Sequence, residues 1–433
     1  MQQTGDSVYL TGRRGMGSSR CRGISRIFTL MILLLPILSQ IDILGYSVLE
    51  FFSIAMVCVL LVRSDGKLKA EPFVLPYAYM AVSTFFAGCV FGDSPVTILL
   101  SAARVLVIYF GIFSACREYF NYEYARKWLI RFALIISGII VLQSALYYVF
   151  KIQFYPIPGN IKLNYRQGMN STNLVAQWVR SVRGGYFFRP CAMFMEPAHA
   201  AYYLVLATTV LLFRKENSSK CDLYYALLTS AAAILTTSTI GIVLSIAVWA
   251  GFVFFGKNNL KRNHKLSILV VLMIVLGAFA ALILTEGIQR SLLRKLSQFQ
   301  NMSQESSTYL RLFRGFDFYR NMGPVEMLFG CGYAHSAEYY ETVKLVNVLH
   351  YADSNFMNSI SRILCSTGII GLALFMFAII VNARRNGGCS REVAILLVIL
   401  MCVGAIMDIG MFYLYMCFII SRKTRNSLRR KRM

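Results

Sequence analysis

Residues 128–150 read WLIRFALIISGIIVLQSALYYVF, and residues 151–189 after them read KIQFYPIPGNIKLNYRQGMNSTNLVAQWVRSVRGGYFFR. The first stretch carries a single charge, Arg131, and is long enough to cross a hydrocarbon core of about 30 Å. The second is polar and contains Lys151, Lys162, Arg166, Arg180, Arg183 and Arg189, with no acid before Glu196. An apolar span feeding a long basic loop is the unit that decides the fold. The chain is an all-α polytopic membrane protein, and its chemistry belongs in its loops, where a rigid scaffold holds binding and catalytic groups.

Working outward, the apolar pattern recurs over 25–40, 43–62, 72–92, 95–115, 197–213, 222–236, 239–256, 266–285, 357–381, 393–407 and 409–421. The run 222–256 is too long for one crossing, and Thr236-Thr237-Ser238-Thr239 can turn in its middle. The run 393–421 would be about 43 Å as one helix, so a tight hairpin near Asp408 is expected. With residues 128–150 this makes about twelve transmembrane helices in a single domain. Two long loops interrupt them, 151–196 and 286–356, with disordered ends expected at 1–23 and 422–433.

Charge orients the bundle. The links at 63–71, 116–127, 214–221, 257–265 and 384–391 are basic, as are both ends of the chain, whereas the turns at 40–45 and 92–95 carry no Lys or Arg. Positive charge gathers in cytoplasmic loops. Both termini are therefore expected in the cytoplasm and both long loops outside. The same rule accounts for a net charge of +24, and no basic-aromatic stripe or known module points to nucleic acid. The apolar run after the basic N-terminus lacks a small-x-small cleavage site near Ser39, so it is read as an uncleaved first helix.

Three constellations could carry chemistry. The first is RSVRGGYFFRPCAMFMEPAH, 180–199. Its arginines, Arg180, Arg183 and Arg189, can grip phosphate through a planar fork of donors, or lie among lipid headgroups. Glu196 and His199 are three apart at a helix start and share a face. They are a base and its orienting partner, or only a helix boundary before Pro197 and an interior histidine. The second is TYLRLFRGFDFY, 308–319, where Arg311 and Arg314 either add phosphate contacts or snorkel to the interface. The third is the head of the tenth span, with His350, Asp353, Asn355 and, deeper, Arg362. Arg104 sits similarly inside the fourth span. A charge within a span usually faces a polar interior, as a functional group or as half of an ion pair. Within the second loop, Ile288, Leu292, Leu296 and Phe299 share one face of a helix expected to lie in the interface, and a further helix is expected over 306–321.

Eleven cysteines are scattered without zinc spacing. Cys191 and Cys331 are those in the long loops, and are either bridged or two buried thiols. No paired-carboxylate motif, phosphate-cradling glycine loop or Ser/His/Asp order with supporting context appears. Neither metal nor cofactor is expected.

The ordered set FFRPCAMFMEPAHAAYYL (187–204), LTTSTIGIVLS (235–245), TYLRLFRGFDFY through LFGCGY (308–333) and DSNFMNSISRILCSTGIIGL (353–372) resembles the O-antigen polymerase and O-antigen ligase superfamily of bacterial envelope glycosyltransferases. The resemblance implies a metal-independent, C-type membrane glycosyltransferase in the bacterial cytoplasmic membrane. It implies an undecaprenyl-pyrophosphate-linked oligosaccharide as donor, with the lipid pyrophosphate as leaving group. Arg183 or Arg189 would hold the pyrophosphate, and Glu196 and 350–355 would lie near the reacting sugars. Membrane lipids, a chain-length regulator and a flippase are the partners that go with it. Ligase-like members often place His directly before the Asn at the head of the tenth span. Here Ser354 stands there, which favours a polymerase over a ligase. A lipid-linked glycan flippase is the rival from another class, but internal repeats are lacking.

Overall fold

A computed structural model describes residues 17–43, 46–63, 72–158, 161–162, 188–213, 220–255, 309, 312–333, 335–342, 357–386, 389–407 and 409–421. The described residues are almost wholly helical. A two-residue antiparallel ladder, Asp42–Ile43 (β1) with Tyr46–Ser47 (β2), is the single sheet among them.

Helices stand at the expected spans. They are α1 (Gly17–Leu38), α2 (Val48–Arg63), α3 (Val74–Phe91), α4 (Pro95–Val105) running through a π turn into α5 (Gly111–Tyr119), and α6 (Tyr122–Phe150). Then come α7 (Pro197–Leu212), α8 (Lys220–Leu235) and α9 (Thr239–Phe255). After three short helices, α10 (Arg314–Arg320), α11 (Pro324–Phe329) and α12 (Ser336–Thr342), follow α13 (Ser359–Arg385), α14 (Ser390–Val403) and α15 (Gly410–Ile420). Among the described residues, four segments are long and apolar enough to cross a membrane: α3, α4 through α5, α6 and α13. Shorter apolar helices pack among them, so this is a membrane-embedded helical bundle. The expected span 266–285 and the interfacial helix around Ile288 lie outside the described residues. The N-terminal helix begins at Gly17, so 17–23 is helical where disorder is expected.

Local chemistry sets the breaks. Ser94 Oγ accepts from Thr97 N–H at 3.2 Å with Pro95 following, opening α4. Asn121 Oδ1 caps α6 and Asn358 Oδ1 caps α13. The turn at 236–238 separates α8 from α9 as expected, with Thr237 at φ +54° and Ser238 Oγ accepting from Gly241 N–H. The hairpin between α14 and α15 is also present.

Two helices, α7 and α15, are buried on nearly every side. A helix apolar all round belongs in the middle of a bundle. They meet where the Tyr415 hydroxyl donates to Tyr202 O at 2.7 Å. By contrast α6 buries Leu129, Ala133, Ile136, Ile140 and Gln143 on one face and exposes Ile135, Val149 and Phe150 on the other, the pattern of a wall helix facing lipid.

The two ends of the bundle are distinguishable. At one, Asp42 N–H donates to Lys162 O, Met195 N–H to Gln40 Oε1, Gly410 N–H to Ser39 Oγ, and Asp93 pairs with His335. At the other, Ser25 Oγ donates to Tyr119 O, Tyr122 bonds Cys389, and Asn386 donates to Ile419 O. The described parts of both long loops thus sit with the turns at 40–45 and 92–95. The basic links at 116–127 and 384–391 sit opposite.

The second loop does not stay clear of the helices. Inside α13, Gly368 has φ +65°, and a Cβ there would collide with Leu328 O. The break interrupts the helical ladder. Cys365 O and Ser366 O instead accept from Cys331 N–H at 2.9 Å and Gly332 N–H at 3.0 Å. Backbone groups away from water need such partners. Gly368 lies about 14 Å along α13 from Ser359, at a rise of about 1.5 Å per residue. Residues 324–332 therefore pack along α13 beside α3, with α11 on the outside of the bundle and Cys331 and Gly332 buried, and Ser83 Oγ donates to Phe329 O at 3.1 Å.

Candidate functional site

The end of the first loop, 188–196, is held by four side chains. Phe188 stacks on Tyr147 of α6 at 4.5 Å between ring centroids. Gln143 Oε1 accepts from Cys191 N–H at 3.1 Å and Ala192 N–H at 2.8 Å, while its Nε2 donates to Phe154 O and Ala192 O. The Tyr155 hydroxyl donates to Met193 O at 3.4 Å, and Met195 N–H donates to Gln40 Oε1 at 2.7 Å. Ala192 takes φ +51° inside this clamp. Gln143 and Gln40 are both buried.

The clamp fixes two of the expected charges. Arg189 is half-buried in the stem. Glu196 is the N-cap residue of α7, with Pro197 at the first helical position. Cys191 lies within electrical reach of both. Burial pushes its thiol up, the Arg189 guanidinium pulls it down, and the Glu196 carboxylate pushes it up again. His199 is buried one turn into α7, with its ring centroid 6.1 Å from that of Tyr202. A base and its partner can occupy these positions.

A chain of contacts ties α7 to the head of α13. A Cβ at Gly404 would lie 3.2 Å from the Tyr202 hydroxyl, and Gly404 O accepts from both Ser359 N–H and Ser359 Oγ. Against that same head lies α10. Asn358 Nδ2 donates to Leu312 O, and Gly315 packs directly on Ser361. Arg314, 1% exposed, opens α10 in the interior rather than snorkelling. Arg362 sits 5.0 Å over the ring of Tyr333, whose hydroxyl bonds Tyr109 at 3.3 Å. Arg104 pairs with Glu50 of α2, the ion-pair alternative for that position. Arg180, Arg183, Arg311, His350, Asp353 and Asn355 lie outside the described residues. Cys191 and Cys331 are both free, buried thiols.

Sequence reading passes over three things. Gln143 and Gln40 are amides in apolar runs, a visible signal of a polar contact inside a span. Tyr333 carries no signal at all. The group Asp93, His335 and Glu338 has donor atoms within 4.8 Å of one another, but Asp93 lies 242 residues from His335, so no spacing motif exists.

In comparisons with known proteins, no family model matches the chain, and no curated protein matches it.

Proposed function

We propose that the protein is a polymerase of lipid-linked oligosaccharide repeat units, acting at the outer face of the bacterial cytoplasmic membrane. The donor is a glycan on undecaprenyl pyrophosphate. An acceptor sugar hydroxyl attacks the anomeric carbon, the new C–O bond forms, and the bond to pyrophosphate breaks. Glu196 takes the hydroxyl proton, and the negative charge that develops on the departing pyrophosphate is met by Arg189. Arginines fixed where charge develops stabilise the transition state more than the ground state.

The observation carrying this reading is the clamped stem 188–196, which holds a cation and a carboxylate on either side of Cys191 at the mouth of a fully buried helix. Arg314 and Arg362, near the head of α13 at that same end, supply further positive charge for an anionic substrate. None of these steps needs a metal.

The test is to incubate purified protein with a single lipid-pyrophosphate repeat. A ladder of lengths supports polymerisation. In cells, deletion that leaves one repeat on the final acceptor, such as lipid A core, supports it too, whereas deletion that leaves that acceptor bare points to a ligase. No turnover of the repeat overturns the transferase reading.

A further inference from the structure

The geometry points to a divalent transition-metal site, suited best to Zn2+, formed by Asp93, His335 and Glu338 and stapling the returning second loop to the turn between α3 and α4. His335 is 2% exposed. Its Nε2 lies 2.9 Å from Asp93 Oδ2 and 3.9 Å from Glu338 Oε2. Zinc bonds to imidazole nitrogen and carboxylate oxygen run near 2.0–2.2 Å, so two donors on one tetrahedral ion stand about 3.4 Å apart. These two separations bracket that value and need shifts of about half an ångström, while the two carboxylates, with all donor atoms within 4.8 Å, close on the ion by turning the half-exposed Glu338 side chain.

The surroundings hold the donors and leave room. Phe91 stacks on the His335 ring at 5.6 Å with the planes 10° apart, which fixes the ring's direction. On one side of the group stands Gly88, where even a Cβ would sit 3.5 Å from both Asp93 Oδ2 and His335 Nε2. A larger side chain would fill the space an ion needs. Asp93 and Glu338 are 22% and 51% exposed, so the buried imidazole faces a path from water through its two carboxylates.

The donor chemistry selects the ion. Two carboxylates neutralise a dication, and one imidazole nitrogen favours a borderline metal over Ca2+ or Mg2+, which take oxygen. A bound ion would require His335 to present Nε2 without its proton, so metal and the Asp93 hydrogen bond are alternatives. The ion is structural in this assignment. It takes no part in the transfer reaction, and its test needs no substrate.

The experiment is thermal unfolding of the full-length protein in detergent, with ZnCl2, CaCl2 or EDTA, beside direct Zn2+ titration. Zn2+ should raise the melting temperature, EDTA should reverse the rise, and Ca2+ should not reproduce it. Removing a group that merely hydrogen-bonds a ligand costs about 10–100-fold in metal affinity, so Asp93→Asn and His335→Gln should weaken Zn2+ binding by at least that much. Glu338→Gln changes a half-exposed side chain and keeps the fold, so it reads the site even where the buried variants fail. It should weaken binding too, while Glu338→His retains or tightens it. No saturable Zn2+ binding by the wild type, or equal affinity in wild type and Glu338→Gln, would reduce the group to an imidazole–carboxylate hydrogen bond and overturn the assignment.

Discussion

The side-chain amide of Gln143 meets the backbone of Ala192 in both directions, accepting from its N–H at 2.8 Å and donating to its carbonyl at 3.3 Å. One side chain on α6 therefore stands in for a strand partner at the point where the first loop returns. Gln143→Leu leaves several buried polar groups unmatched, each costing about 1–3 kcal/mol. The expected outcome is a lower melting temperature and faster proteolysis within 188–196. Gln143→Glu keeps the acceptor for Cys191 and Ala192 but loses the donor, so its effect should be smaller. Equal protease resistance in all three proteins would show that the clamp does not hold the stem.

Gly368 should tolerate no side chain. Its φ of +65° disfavours any L residue, and a Cβ would collide with Leu328 O. A strained backbone costs about 1–3 kcal/mol and overpacking about as much again. Gly368→Ala should therefore lower folded abundance sharply. Gly138→Ala on α6, where nothing lies within 4 Å, should be neutral or stabilising by up to about 1 kcal/mol. Quantitative immunoblotting and thermal unfolding of the two variants make the comparison.

Arg189 and Arg104 should separate cleanly. Arg189→Ala, and also Arg183→Ala, should cut ladder formation by about a hundred- to thousandfold at normal abundance. Lysine should restore little at Arg189, because a point charge lacks the bidentate fork. Arg104→Ala should instead act on stability. It removes the partner of the mostly buried Glu50 carboxylate, but the Arg104 side chain is itself 66% exposed, so the loss should be near that of an exposed pair, about 1 kcal/mol. The double variant with Glu50→Ala should recover much of that loss, with activity per folded molecule near wild type throughout. Near wild-type rates for Arg189→Ala and Arg183→Ala would move the pyrophosphate site to Arg311 and Arg314.

Sidedness is open to labelling. Single cysteines at Asn170 and Glu341 should react with an impermeant maleimide on intact cells, and one at Ser427 should react after permeabilisation. Native Cys191 and Cys331 should stay silent. Burial pushes both thiols up, Cys331 to about 12, and a neutral thiol is the unreactive form. Raising the pH from 7 to 9 therefore leaves both far below the point where thiolate forms. Labelling of Ser427→Cys from outside would refute the cytoplasmic C-terminus.

The helix positions are legible because apolar runs and their breaks are local properties. The turn at Thr236–Ser238 and the hairpin after Val403 follow from length alone. The docking of 324–332 is not legible, because the apolar stretch PVEMLFGCG does not show what it packs on, and its acceptors at Cys365 and Ser366 appear only once Gly368 breaks α13. The site divides the same way. Arg189 and Glu196 announce themselves as charges at the edge of a span. His335 does not, since its partner Asp93 is remote in sequence and the two meet only when the second loop lies along α3.

The exchange at Gly368 also dictates an order of assembly. During synthesis, Cys331 and Gly332 emerge before Cys365 and Ser366, so their amides must wait for acceptors not yet made. Until α13 arrives, 324–332 cannot rest at depth without leaving backbone donors bare in lipid. The segment should therefore stay at the water interface until α13 offers Cys365 O and Ser366 O. A chain truncated before Ser359 should therefore leave this segment open to protease, because the acceptors for Cys331 and Gly332 are absent from it.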